Sequence, residues 1–388
     1  MQKRLLIKAA FSAAAFLALS TSGSTQIIVS GNDEKVLWND AGQPVFLPPG
    51  KDTISFIDIR DRENPKVLTS IALENSIFGP PTNLAVSPNG EIALVANSMT
   101  QIKDGEKWKP VPDNKVYIFD LKANPPQHIG TVEVGKQPSG LDISKKGDLA
   151  LVTNRADNSI SVLSISGKDV KLADTLAMGD SVAHVAISPD GTKALAVKPV
   201  VNKVAFLKID SGKVRYEKYD MPTGIFPYNV DIVPGGHIAL VANNGAGGAA
   251  DGNVDTVSVI DLDASPPRVI DQVTVGDAPE GFAISPKGDL PLAILVAGNS
   301  DKNAFFSRKN GSAAVLKIDG KKVTKVGDVE LGALAEGVVF SPDGAYAYIG
   351  NFLDSDISIL KIIGGQVTDT GKKIKLPGHP ASLRGPPK

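Results

Sequence analysis

Few side chains in this sequence are suited to chemistry, so each can be followed individually. There is no cysteine, which excludes disulfides, thiolate metal sites, a lipoprotein anchor and covalent haem attachment. Four histidines, His128, His184, His237 and His379, stand in distant segments and make no metal-ligand cluster. Two glutamates share a context: Glu280-Gly281 and Glu336-Gly337 each open a short apolar run. Thr82-Asn83, Ser139-Gly140, Ala183-His184, Tyr228-Asn229 and Ala381-Ser382 stand at corresponding places. Two carboxyl groups held near one another, with a histidine in reach, can do acid–base work if burial or mutual repulsion raises the pKa of one of them. The plainer reading is a set of polar side chains tolerated at a solvated opening. Asp251-Gly252-Asn253-Val254-Asp255 puts oxygen-bearing side chains at alternate positions, as calcium loops do, but lacks the later bidentate glutamate. Asp255 also matches Asn114, Asn158 and Asn202, each just before a β run. No metal and no cofactor is therefore expected, and the Gly-Ala-Gly-Gly of 245–248 lacks the strand-then-helix context of a nucleotide loop.

What must position these residues is a repeat, plainest in 136–164, KQPSGLDISKKGDLALVTNRADNSISVLS. An apolar run leads into a turn, a second run ends in Leu-Val-Thr-Asn, and an alternating third run follows. Runs of this length, rich in Val, Ile and Leu, read as strands. The turn is Ser-Pro-Asn-Gly at 87–90, Ser-Pro-Asp-Gly at 188–191 and 341–344, Val-Pro-Gly-Gly at 233–236 and Ser-Pro-Lys-Gly at 285–288. Proline presets φ for the second position of a type I turn and glycine suits the last, which is hairpin chemistry. Successive turns begin 57, 44, 45, 52 and 56 residues apart, and four short strands at such a period are the signature of a propeller blade.

Six turns give six blades, and the seventh must be assembled from both ends. Residues 26–30, 52–59 and 66–73 supply its second, third and fourth strands. Its innermost strand comes from His379-Pro380-Ala381-Ser382-Leu383-Arg384, which matches Gln137-Pro138-Ser139-Gly140-Leu141-Asp142. The predicted fold is all-β: a seven-bladed β-propeller of four-stranded antiparallel blades over 25–388, its ring closed by the C-terminal strand. Closure removes the exposed edges that an open sheet would have to protect.

Against the 44-residue unit, every insertion follows a second strand (31–51, 97–116, 243–257 and 289–313), apart from about five extra residues around 74–79 after the fourth strand of the first blade. In an up-and-down blade these connections leave from one face of the disc, and long loops on a rigid scaffold are where binding usually sits. The expected ligand-binding set is Asn83, His184, Asn229, Glu280 and Glu336 at the channel mouth, overhung by Trp38, Trp108 and Phe305 in the insertions. The three aromatics are equally suited to anchoring a ligand or to capping the loops as small cores.

Lys3, Arg4 and Lys8 precede an apolar stretch and the small residues 20–24, so 1–24 reads as a cleavable secretory signal. Its removal leaves 38 basic against 42 acidic residues, which is not a nucleic-acid-binding balance. No later stretch could span a membrane, and a periplasmic or secreted monomer is expected, its partner a small molecule or an envelope protein.

Leu151-Val152-Thr153-Asn154, Leu94-Val95-Ala96-Asn97, Leu240-Val241-Ala242-Asn243 and Tyr348-Ile349-Gly350-Asn351 resemble the second-strand ending that names the YVTN family of propellers. Blade four departs from it with Ala196-Val197-Lys198-Pro199. The resemblance covers 26–384 and implies the fold. It is similar in turn to the lactonase-type propellers, which implies two functions to weigh: a ligand- or protein-binding module of the cell envelope, or a lactone hydrolase using Glu280 and Glu336 with His184.

Overall fold

The turns do what their chemistry requires, and their serine does more. In the computed structural model, which describes residues 26–386, Gly90, Gly147, Gly191, Gly236, Gly288 and Gly344 all have positive φ. Each donates its N–H to the carbonyl of the first turn residue at 2.8 Å. In the serine turns the hydroxyl then accepts an N–H at the entry to the second strand, donated by Ile92, Lys193, Leu290 and Tyr346 at 3.0–3.1 Å. The repeated serine is thus a hairpin brace.

Seven four-stranded antiparallel sheets result. Their innermost strands are Pro380–Arg384, Leu84–Val86, Pro138–Ile143, Val185–Ile187, Pro227–Ile232, Pro279–Ile284 and Ala335–Phe340 for blades one to seven. The C-terminal strand pairs with Ile27–Asn32, Val29 opposite Arg384, and so completes blade one as the sequence predicts. Apolar residues fill the gaps between neighbouring blades. At the closure, Ile28, Ile57 and Leu383 of blade one pack on Tyr348, Ile357 and Ile359 of blade seven. The segment read as a leader, 1–24, lies outside the described residues, among which no helix is long and apolar enough to cross a membrane.

The asparagine that ends the second strand is a clip. Asn32, Asn154, Asn243 and Asn351 each donate from Nδ2 to a third-strand serine, Ser55, Ser161, Ser258 and Ser358, at 2.8–3.0 Å. The same side chains lie against Gly378, Gly135, Gly224 and Gly332, where a Cβ would meet them at 2.5–2.9 Å in blades three, five and seven and would meet the Asn32 Cβ at 3.2 Å in blade one. Blade four, which lacks the asparagine, uses a buried ion instead: Lys198 Nζ reaches Tyr216 Oη at 2.8 Å and Asp220 at 3.0 Å.

Pairings such as Pro138 with Asn154 and Ala335 with Asn351 place the start of each innermost strand beside the end of the second strand. The insertions therefore emerge around the same mouth of the central channel. In blade two the extra residues lengthen the strands into a hairpin, Ile92–Asp104 with Lys107–Asp120. In blade one they form a small hairpin, Val36–Trp38 with Pro44–Phe46.

Candidate functional site

The innermost strands stack their side chains in rings around the channel. At the insertion end the first ring holds Thr82, Ser139, Ala183, Tyr228, Glu280, Glu336 and Ala381. One residue deeper come Asn83, His184, Asn229 and Ser382, with Gly140, Gly281 and Gly337 between them. These glycines are required by crowding: a Cβ on Gly281 would stand 2.0 Å from the Glu336 carbonyl oxygen, and one on Gly140 2.5 Å from the His184 ring.

Glu280 and Glu336 are brought together, on adjacent blades, at 5% and 3% exposure. Burial pushes Glu280 up to about 8, against the pull of the Arg155 guanidinium, and the two groups titrate as a pair. Burial and the charge of Glu280 hold Glu336 well above the carboxylate range. Around neutral pH the pair therefore keeps protons that exposed carboxylates would have lost. Arg155 follows the second-strand asparagine of blade three. Its Cζ stands 5.6 Å from the centre of the Tyr228 ring and its Nη1 is 3.5 Å from Tyr228 Oη. Sequence reasoning passed over Arg155, although it is the one cation directly after such an asparagine.

The other predicted residues divide. Asn83 donates to Asn75 Oδ1 at 2.7 Å and to the Ala96 carbonyl at 2.8 Å, and Asn229 donates to the Glu280 carbonyl at 3.2 Å. Both side chains are buried, and their oxygens have no protein partner. Thr82 Oγ1, Ser139 Oγ, Ser382 Oγ, Arg155 Nε and Glu336 Oε2 are in the same condition. His184 turns away from the carboxyl pair, toward Arg384 of the closing strand, whose Nη2 lies 3.4 Å from His184 Nε2. Burial, then the Arg384 charge, push His184 well below its ordinary range, with a smaller contrary pull from Asn229, so the ring is neutral.

The insertion end is roofed. Ile77 packs with Val36, Ala278, Leu334, Phe352 and Ala381 in an apolar cluster over the mouth, and Gly79 lies against Ser139. A buried ion cluster holds this roof: Lys35 binds Asp52 at 2.6 Å, Asp33 at 3.4 Å and the Asn75 carbonyl, while Asp33 accepts the Ile77 N–H at 2.8 Å. Trp38 belongs to the roof, edge-on to Phe352 with centroids 5.7 Å apart. Trp108 is half-buried in the blade-two hairpin, paired across it with Lys103. Phe305 is 95% exposed, edge-on to Phe306. Glu336, read from sequence as a residue at an exposed mouth, is instead enclosed. In the 251–255 loop the side-chain oxygens serve the chain itself: Asp251 accepts from Asn253, and Asp255 accepts the Ala278 N–H at 2.9 Å. Among the described residues no three His, Cys, Asp or Glu side chains are grouped to hold a metal.

The fold and its channel define a seven-bladed β-propeller. Solved structures share it along almost the whole chain. The periplasmic gluconolactonase PpgL of Pseudomonas aeruginosa matches with a TM-score of 0.67 and 17% identity, covering 93% of this chain and 99% of that one. A putative 6-phosphogluconolactonase of Bacteroides uniformis gives 0.71 and 16%, over 93% and 99%. A functionally unknown protein of Desulfotomaculum acetoxidans gives 0.68 and 15%, over the same shares. At such identities the likeness is one of fold. Among curated proteins, Antigen Lp49 of Leptospira interrogans is 28% identical over 142 residues, 36% of this chain and 27% of its own length. No family model matches.

Proposed function

We propose that this propeller is an exported binding protein that takes a small, hydroxyl-rich molecule on the polar rings at the insertion end of its channel. The observation that carries the reading is the set of buried polar atoms without protein partners in the first two rings, at Thr82, Asn83, Ser139, Asn229, Glu336 and Ser382. A desolvated polar group left unpaired costs about 1–3 kcal/mol, and a polyol supplies both donors and acceptors to such a ring. The roof implies that the ligand enters by displacing the segment around Ile77. Calorimetric titration of the mature protein with a panel of monosaccharides, aldonolactones and aldonic acids tests this. Saturable binding weakened by Ser139→Ala and Asn229→Leu supports it, and binding of no panel member, or binding that both variants leave unchanged, overturns it.

A second reading, hydrolysis of sugar lactones, is favoured by the coupled carboxyl pair and by the names of two fold neighbours. In it, at a pH near or above about 8 where Glu280 has lost its proton, Glu336 would donate to the ring oxygen as the lactone C–O bond breaks, and Glu280 would take a proton from the water that attacks the carbonyl carbon. Turnover of a lactone panel abolished by Glu280→Gln and by Glu336→Gln supports that reading, whereas binding without turnover supports the first. Export is supported by the leader pattern and by the periplasmic location in the PpgL name. Mass spectrometry of the mature N-terminus should find cleavage within 20–25, and an intact Met1 in the exported protein would contradict it.

A further inference from the structure

The segment that roofs the insertion end, 74–81, reads ENSIFGPP and belongs to no strand: the fourth strand of blade one ends at Ala72, and the innermost strand of blade two begins at Leu84. Its fastenings are mostly polar. Asp33 accepts the Ile77 N–H at 2.8 Å, Asp52 accepts the Asn75 N–H at 3.2 Å, and Lys35 donates to the Asn75 carbonyl. Ser98 Oγ donates to the Phe78 carbonyl at 2.5 Å, and Asn83 Nδ2 to Asn75 Oδ1 at 2.7 Å. The apolar share is small: Ile77 in the cluster over the mouth, and Phe78 beside Phe46 with ring centres 5.9 Å apart. Lys35, Asp33 and Asp52 are all buried. Desolvation offsets most of the attraction within a buried ion cluster, whereas loss of one member leaves the others unpaired. Such a cluster fixes where a segment sits more than how tightly it sits, and it fails as a unit.

The ring is also shaped to receive this segment. The residue before the second-strand asparagine is Ala96, Thr153 and Ala242 in blades two, three and five, and Gly31 in blade one. Gly31 does not have a positive φ, so its backbone makes no demand for glycine. Space does: a Cβ there would meet the Asn75 side chain at 2.6 Å. Gly31 is thus the seat of Asn75, whose Nδ2 is buried in it without a partner. Beneath the segment Gly79 lies on Ser139, one of the ring residues whose polar atoms have no partner.

We infer that 74–79 is a gate over the polar rings, latched by Lys35 with Asp33 and Asp52 and seated through Asn75 on Gly31, which opens while the propeller stays folded. Resting on the reading of those rings as a binding site, this gate gives Asn83 two partners, Asn75 when closed and the ligand when open. Because the chain has no cysteine of its own, Ser139→Cys places a single thiol beneath Gly79. Its labelling by a maleimide, in the mature protein without ligand, reads local opening. Labelling should be slow, yet faster than the global unfolding rate extrapolated from urea. Lys35→Met, which breaks the latch, and Gly31→Ala, which blocks the seat and leaves every charge in place, should each speed it at least about tenfold with cooperative unfolding retained. If one of these variants does not fold, the other decides. Labelling no faster than global unfolding, or a rate unchanged in the folded variants, would overturn the proposal. Faster labelling in the variants of a protein that binds none of the sugar panel upholds the gate and defeats the binding reading alone. Saturable sugar binding with labelling unchanged in the variants defeats the gate alone.

Discussion

The two ends of the channel are built from the same seven strands, five residues or fewer apart, yet they solve opposite problems. The insertion end concentrates uncharged polar atoms and two proton-retaining carboxyls beneath a roof of loops. The turn end exposes fixed charges inside a rigid collar of repeated turns, open to solvent. The lesson is that the long loops close a mouth, while the shortest connections leave one open.

The closing strand serves both ends, through Ala381 and Ser382 at one and Arg384 at the other, so its removal should break the comparison outright. Deleting 379–388 leaves Ile27–Asn32 as a bare inner edge. It is expected to abolish cooperative thermal unfolding, and a truncated protein melting like the intact one would refute ring closure. Next in size is Gly281→Ala, which forces a Cβ onto the Glu336 carbonyl and should cost about 3 kcal/mol in urea unfolding. Gly235→Ala in a turn, where the nearest atom is the side chain of His237, should cost far less.

Proton linkage sharpens the comparison further. A carboxyl whose folded pKa is raised binds more protons folded than unfolded, so stability is lost as pH rises from the ordinary 4.5 through about 8 for Glu280. Glu280→Gln removes that loss. Relative to the parent protein, it should gain at least about 1 kcal/mol between pH 5 and pH 8, measured by urea unfolding at each pH. The smallest effect is expected at the rim. Phe305→Ala, at a residue almost wholly exposed, should change stability by no more than about 0.5 kcal/mol, and a larger loss would mean that Phe305 is covered in solution.

The turns, the blade count and the C-terminal closure were legible because each rests on local chemistry repeated at a fixed period. Glu280 and Glu336 were found by the same alignment. Their burial was not, because it depends on Lys35, Asp33 and Asp52 pinning the segment around Ile77 across the mouth. An insertion has no repeat to be compared with, so a lysine in it reads as solvated. Arg155 left a signal as the one cation directly after a second-strand asparagine, and Asp142, Asp231 and Arg384 left another, charges at positions that other blades fill with alanine or valine. They stand out only when the repeats are compared column by column below the first two ring positions. His184 was misdirected for the same reason: its ring position is shared with Asn83 and Asn229, but its partner Arg384 lies one layer down.

That Val29 pairs with Arg384, far later in the sequence, gives the ring an order in time. Val29 is synthesised early and must wait for Arg384 before its inner edge is covered. Until then six sheets form an arc whose two ends are both unsatisfied, a species that non-local pairing makes slow to resolve and open to association with other chains. The closing strand therefore acts as a clock as well as a latch: neither mouth of the channel is complete until it has been delivered, and a chain stalled just short of it would display two sticky edges.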